Sequence, residues 1–427
     1  MVRYDQRILS STPHICIMKV KARYLFGCLL LATGLFSCQE RSKNMRVSSW
    51  VSSPEETKIF ETTLDAFRSA QPEVVFDFEP IPGNYSEKLQ LMLGTRTAPD
   101  LFFMKGYLAP SYMSFDILEP LDDRISNEAD IDMDDFYPSL LKSFRRGDQQ
   151  FGLPKDFAPY VMFYNKKLFR EAGLDSVPTT WQELEEYAKK LTIDKDGDGK
   201  IDQYGLVIEP STEMLMPFVF QNNGYFQNPD GSLGITDDPF VEALEFYHGL
   251  YKKGFATIPP DVGQGWNGDA FGREIAAMCF SGGWLIPFMK GNYGDVDWHV
   301  AEMPAGKQQS TVAFTTAFAM PKDSQYKDDA WKLMNYLTGK EGMEIWTSGG
   351  LAMPSRKSVA VKNGFYEDPV YSVFMNSAEY ARTFQVEFSE RGFEEMVVAM
   401  QAVFFTGKDP RTAMEDIKTR IVKYSLK

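Results

Sequence analysis

Histidine and cysteine are scarce in this chain, with 3 and 4 among 427 residues. Cys16, Cys28 and Cys38 crowd the N-terminus, so Cys279 stands alone in the remainder and no disulfide framework is expected there. The same poverty argues against zinc chemistry and thiolate-held clusters. Basic charge is short too: 45 Lys and Arg against 59 Asp and Glu leave a net −14, the opposite of a nucleic-acid footprint. The mean hydropathy is negative, which excludes a multi-span membrane protein. No Gly-x-Ser-x-Gly elbow, Walker loop, His-Glu-x-x-His or dinucleotide fingerprint occurs. What is present, 44% hydrophobic, 14% aromatic and 24% charged residues, belongs to a globular chain long enough for two or three lobes.

The N-terminus reads as an address. Met18-Lys-Val-Lys-Ala-Arg is a positive stretch, followed by an apolar run from Tyr24 to Phe36 that is too short to span a membrane and fits an export signal. The run ends Leu35-Phe36-Ser37-Cys38, which resembles the bacterial lipobox. The resemblance implies cleavage before Cys38 and a diacylglycerol on its sulfur. Residues 1–37 are then a signal peptide with an extended leader, and 38–44 a lipidated tether. The blander alternative is an ordinary signal peptide with an incidental cysteine. Residues 1–37 carry five basic side chains against Asp5, a surplus of +4 whose removal leaves −18 on the exported chain.

From Arg46 onward, short apolar runs alternate with helical periodicity. Arg46 to Val51 reads as a strand; Ser53, Pro54 and Glu56 then fit an N-cap, first turn and capping-box acid ahead of Ile59, Phe60, Leu64 and Phe67. Glu73 to Ile81 and Pro99 to Met104 read as further strands around a helix marked by Tyr85, Leu89, Met92 and Leu93. That alternation predicts an α/β lobe with largely parallel strands. A second start appears at Tyr160 to Tyr164, followed by a capping box at Thr180 to Glu183 and helices opening at Asp238-Pro239 and Asp409-Pro410.

Two patterns carry candidate chemistry. In Asp194-Lys-Asp196-Gly-Asp198-Gly199-Lys200-Ile-Asp202, acids at positions one, three and five with Gly at six match the front of an EF-hand loop. Position twelve is Gly205, so Asp202 would supply the far carboxylate and the Lys200 carbonyl another oxygen around a structural calcium ion. A solvated acidic turn is the plain alternative. The second pattern is tryptophan after glycine: Gly263-Gln-Gly265-Trp266 and Ser281-Gly282-Gly283-Trp284. Such rings can offer flat apolar faces to the C–H faces of a sugar, though most aromatic residues belong in cores. Cys279, within Ala276-Ala-Met-Cys-Phe, is expected buried and inert, and His248 on a helix is a poor candidate base.

Several segments together resemble the family 1 extracellular solute-binding proteins of ABC importers, the maltose-binding-protein type. They are Ala98-Pro-Asp100-Leu-Phe-Phe, Tyr164-Asn-Lys-Lys-Leu-Phe-Arg-Glu-Ala-Gly-Leu, Pro178-Thr-Thr-Trp181-Gln-Glu-Leu, Asp194 to Gly205, Ala277-Met-Cys-Phe-Ser-Gly-Gly-Trp284, Ala319-Met-Pro321 and the stretch Ala330 to Trp346. The resemblance implies a two-lobed α/β clamp, each lobe a sheet flanked by helices, joined by about three hinge crossings near 157–160, 312–316 and 363–368. Lobe one would be 45–156 with 317–363, and lobe two 157–312 with 368–427. It also implies that Trp284 stacks on a sugar, and that Ser52 and Ser53, after the first strand, are polar contacts. Asp156, Gln221 and Asn222 are plausible hydroxyl binders. Met104 and Glu213 stand where maltose binders carry stacking rings, a departure from the maltose pattern.

The expected protein is therefore a lipid-anchored, exported, monomeric substrate-binding subunit that captures a carbohydrate, an oligosaccharide above all, and delivers it to an ABC permease without catalysis. It would need no cofactor beyond a structural calcium and no nucleic acid. Two other classes fit the composition: a secreted glycoside hydrolase built on a carboxylate pair, and a calcium-stabilised surface adhesin.

Overall fold

A computed structural model describes residues 44–51, 54–128, 131–383 and 390–423. The expected export signal, Cys38, Ser52 and Ser53 lie outside the described residues. Among the described residues no helix is long and apolar enough to cross a membrane.

The strands in chain order are β1 Met45–Ser48, β2 Phe76–Phe78, β3 Leu101–Lys105, β4 Arg145–Arg146, β5 Gln149–Gln150, β6 Leu153–Pro159, β7 Val161–Asn165, β8 Tyr204–Val207, β9 Ala256–Thr257, β10 Ala276–Ser281, β11 Trp298–Ala301, β12 Thr311–Ala319, β13 Met353–Pro354 and β14 Ala381–Thr383. Seven of them form one sheet in the order β13-β6-β12-β3-β1-β2, with β14 added beside β12. Five form a second, in the order β11-β7-β10-β8-β9, and β4 and β5 make a small hairpin. The expected parallel core is present as β2-β1-β3 and β10-β8-β9. Strand β12 runs antiparallel to β3 and β6, and β6 antiparallel to β13, while β14 joins β12 in parallel; β6 and β12 carry the chain from one sheet to the other and back.

Local sequence explains the helices. Pro54 opens the helix Pro54–Ala70, and Phe60, Leu64 and Phe67 form its buried stripe. Thr180 caps Trp181–Lys190 by accepting from the Glu183 N–H at 3.2 Å, while the Glu183 carboxylate accepts from the Thr179 N–H at 2.7 Å. All six residues of β10, Cys279 included, are buried, as a central strand with both faces covered requires; it pairs antiparallel with β7 and parallel with β8. Burial pushes the Cys279 thiol well above its ordinary value, so it is no nucleophile.

One core holds Val47, Phe60, Phe103 and Phe318 against Leu333 and Trp346. A second holds Met162, Leu206 and Phe280 with the C-terminal helices Glu390–Thr406 and Pro410–Lys423. A third covers the other face of the second sheet, where Phe163 and Cys279 meet Met353, Ala360 and Phe374. The backbone of Met353 nonetheless pairs with β6 in the first sheet, so the segment around it is stitched to both. Only Tyr160 separates β6 from β7, and β12 lies along β6 through most of its length. This pair of strands forms the floor between the sheets.

Candidate binding cleft

A cleft of about 460 Å³ opens over that floor, a volume suited to a small ligand. Its residues sit largely where parallel strands end. Trp50 follows β1, Lys105 ends β3, Glu209 follows β8, and Trp284 follows β10. In open α/β sheets ligands meet the carboxyl ends of the strands, where loops are free to diverge. The floor supplies Asp156, Ala158, Tyr160, Phe314, Thr315 and Thr316, and the end of the helix Lys340–Thr347 adds Trp346.

Three tryptophans thus share one space, each braced from behind. Trp50 meets Phe103 edge-on, with centroids 4.9 Å apart. Trp346 meets Phe60 edge-on at 5.9 Å, and Trp284 meets Tyr160 at 5.8 Å. Gly282 allows the Trp284 ring to fold back across the chain, since a Cβ there would lie 2.2 Å from it.

Charge is divided unevenly. Four carboxylates, Glu56, Asp156, Glu209 and Glu213, face two ammonium groups, Lys105 and Lys155. Lys155 is buried and paired with Asp156, whose Oδ2 also accepts from Trp346 Nε1 at 2.9 Å. Glu56 accepts from Trp50 Nε1 at 3.2 Å. Glu209 accepts from the Asn267 N–H at 3.0 Å, but burial still raises its pKa. Burial likewise raises that of Glu213, opposed by Lys105 and reinforced by Glu209. Burial, with Glu213 and Glu209 nearby, drives the Tyr160 phenol well above its ordinary value. The cleft therefore presents acceptors, phenolic and indole edges and flat rings. Neither His248 nor His299 lines it.

Of the expected site residues, Trp284 and Asp156 line the cleft, as does Glu213. Four others are placed elsewhere. Met104 is fully buried in β3, because alternation turns Lys105 rather than Met104 toward the cleft. Trp266 is half-buried and packs edge-on against Phe288 at 4.7 Å, at the border of the core under the second sheet. Gln221 is fully buried, accepting from Trp181 Nε1 at 2.6 Å and donating to the Ser310 carbonyl at 2.8 Å. Asn222 donates to the Pro239 carbonyl at 2.8 Å and to Glu242 at 2.9 Å. Their hydrogen-bonding capacity is used within the second lobe. Trp50, Tyr107, Lys155, Glu209 and Trp346 were not singled out from sequence; for Trp50 and Glu209 the available signal was a position just past a strand.

In the acidic turn, carboxylate oxygens of Asp194, Asp196 and Asp202 lie within 4.8 Å of one another. Asp194 accepts from the Gly197 and Gly199 N–H groups at 2.8 and 2.9 Å, and both glycines take positive φ, 76° and 87°. Asp198 differs from the expected ligand: its carboxylate accepts from the Lys200 N–H at 2.8 Å and pairs with the Lys200 ammonium at 3.2 Å. Three convergent carboxylates on a glycine-shaped turn suit a hard cation such as calcium.

The fold and the cleft define a class, the two-lobed clamps that close on a solute. The chain belongs to the family of bacterial extracellular solute-binding proteins, whose model matches residues 52–344. Among curated relatives, a binding protein of Brucella abortus is 25% identical over 414 residues, covering 94% of this chain and 97% of the relative. The sn-glycerol-3-phosphate-binding periplasmic protein of Escherichia coli is 25% identical over 362 residues, covering 79% and 81%. Among solved structures, an ABC substrate-binding protein of Listeria monocytogenes in complex with cycloalternan superposes with a TM-score of 0.81 at 22% identity, covering 89% of this chain and 98% of that one. An ABC transporter solute-binding protein of Thermotoga lettingae bound to α-D-tagatose gives 0.79 at 23% identity, covering 90% and 100%. The chain shares their two-lobed α/β fold.

Proposed function

We propose that this solute-binding protein captures a carbohydrate, an oligosaccharide above all, between its lobes and delivers it to an ABC permease by binding alone. The observation that carries the reading is the convergence of Trp50, Trp284 and Trp346 with Glu56, Asp156, Glu209 and Glu213 in one cleft. Apolar sugar faces stack on indole rings, and hydroxyl groups donate to carboxylates. Hinge motion at the strands β6 and β12 would let the ligand bridge both walls and shift the open clamp toward the closed one.

The Escherichia coli relative named for glycerol 3-phosphate raises a second reading, a phosphorylated polyol. The excess of carboxylates over ammonium groups in the cleft disfavours an anion there. Thermal-shift and calorimetric titration against mono- and oligosaccharides, with glycerol 3-phosphate beside them, tests the choice. Binding of a neutral sugar is expected; saturation by glycerol 3-phosphate with no sugar bound would reverse it.

Cleavage before Cys38 and lipidation of its sulfur would tether this domain, as a monomer, to the bacterial envelope. Mass spectrometry of the exported N-terminus checks this. Asp194, Asp196 and Asp202 would hold a calcium ion that rigidifies the turn ahead of β8, away from the cleft.

A further inference from the structure

Lys155 is an odd residue to find in the cleft wall. Its side chain is 3% exposed and that of its neighbour Asp156 is 10% exposed. Its ammonium group donates to Asp156 Oδ2. It also lies 3.6 Å from the ring centroid of Trp346, 4.7 Å from Phe103 and 5.9 Å from Trp50. Two of those three rings line the cleft. Trp346 Nε1 donates to the same Oδ2 at 2.9 Å, so one carboxylate oxygen is saturated by two donors. The other, Oδ1, takes no donor from the described residues.

Stability alone gives a weak reason for this arrangement. A buried ion pair often contributes no more than apolar residues of the same volume, because both charges lose their water. A methionine would fill the space beneath the rings without that loss. What the ammonium adds is direction. It attracts the faces of two indole rings and engages one carboxylate oxygen, each by an electrostatic contact that an apolar side chain cannot make.

We propose that Lys155 is a positioning residue for ligand capture: buried within the wall, it holds the Trp346 and Trp50 rings and the Asp156 carboxylate in fixed orientation, so that rings and Oδ1 meet the solute already ordered. This rests on the reading of the cleft as the capture site. Ordering these groups before binding removes part of the entropy loss that binding would otherwise carry.

The test compares Lys155→Met, Asp156→Asn and the double variant in the full chain. Two readouts are used: calorimetric affinity for maltotriose, mannotriose and glycerol 3-phosphate, and the indole ¹⁵N–¹H resonance of Trp346 without ligand, assigned through Trp346→Phe. Lys155→Met is expected to weaken the probe that binds by about tenfold and to displace the Trp346 resonance. In the Asp156→Asn background it should add less than about fivefold, because part of the Lys155 effect runs through that carboxylate and the rest through its direct contact with the rings. Full additivity, or an unmoved Trp346 resonance, would overturn the proposal. Either single variant strands one buried charge and can fail to fold. The double variant strands none and carries the test by itself: a native Trp346 resonance in it refutes the role. Should no probe bind the unaltered protein, the capture reading loses its support, while the ligand-free resonance still decides whether Lys155 positions the ring.

Discussion

The two walls of the cleft use the same residue types differently. On the first-sheet side, Lys155, Asp156 and Trp346 are tied together, and Trp50 is tied to Glu56. On the second-sheet side, Glu209 and Glu213 sit in a desolvated setting where burial raises both pKa values, beside Trp284. One wall pairs most of its charge internally. The other holds acceptors whose water has been partly stripped and which a bound donor would satisfy. A clamp needs both: a rigid face that orients the solute, and a face whose unmet hydrogen bonding makes the closed, liganded state favourable.

The largest break in that comparison comes from Trp284→Ala. It should weaken sugar binding about 100-fold, the scale of a central aromatic contact, with the fold retained; calorimetry reads the affinity, and an unchanged value would remove Trp284 from the site. Trp266→Ala sharpens the contrast between cleft and core tryptophans. Its ring supports Phe288, so stability should fall by about 2 kcal/mol in denaturant unfolding, with sugar affinity within about twofold. Next, millimolar calcium should stabilise the protein by about 1 kcal/mol through binding to the folded turn; a matching thermal shift in Asp194→Asn would refute the site. The smallest effect separates the walls by pH. The folded-state pKa values of Glu209 and Glu213 lie above their unfolded values, so the folded state binds protons more tightly. Their contribution to stability is therefore best below the ordinary carboxylate range and is lost as pH rises through the raised folded values. Glu209→Gln should raise Tm by about 1 °C at pH 7 and by nothing near pH 3, while sugar affinity drops; a gain that persists at pH 3 would contradict the cause.

Much of the scaffold was legible from local pattern. Pro54, the Phe60-Leu64-Phe67 stripe and the Thr180 cap announced their helices, and the apolar run around Cys279 announced its burial. The family could be read from ordered short segments. The site was less legible. Trp266 and Trp284 both follow glycine-rich loops, yet one faces a core and the other the cleft. Gln221 and Asn222 are polar residues at a helix end, a pattern shared by ligand contacts and structural caps; here their partners lie within their own lobe. Met104 and Lys105 differ by one position in β3, and register decides which of them faces the cleft.

By itself, the sequence settled what depends on neighbours along the chain: helix starts, buried strands, the acidic glycine turn and membership in the solute-binding family. These follow from dihedral preference, capping and hydrophobic period, all short-ranged. Only the tertiary structure decided which tryptophans converge, that Lys155 lies buried beneath Trp346, and that the two walls differ in electrostatic balance. Residues from 50 to 352 meet there because β6 and β12 cross between the sheets. Contacts over such separations are set by strand register and by the packing of whole sheets, which no local pattern encodes.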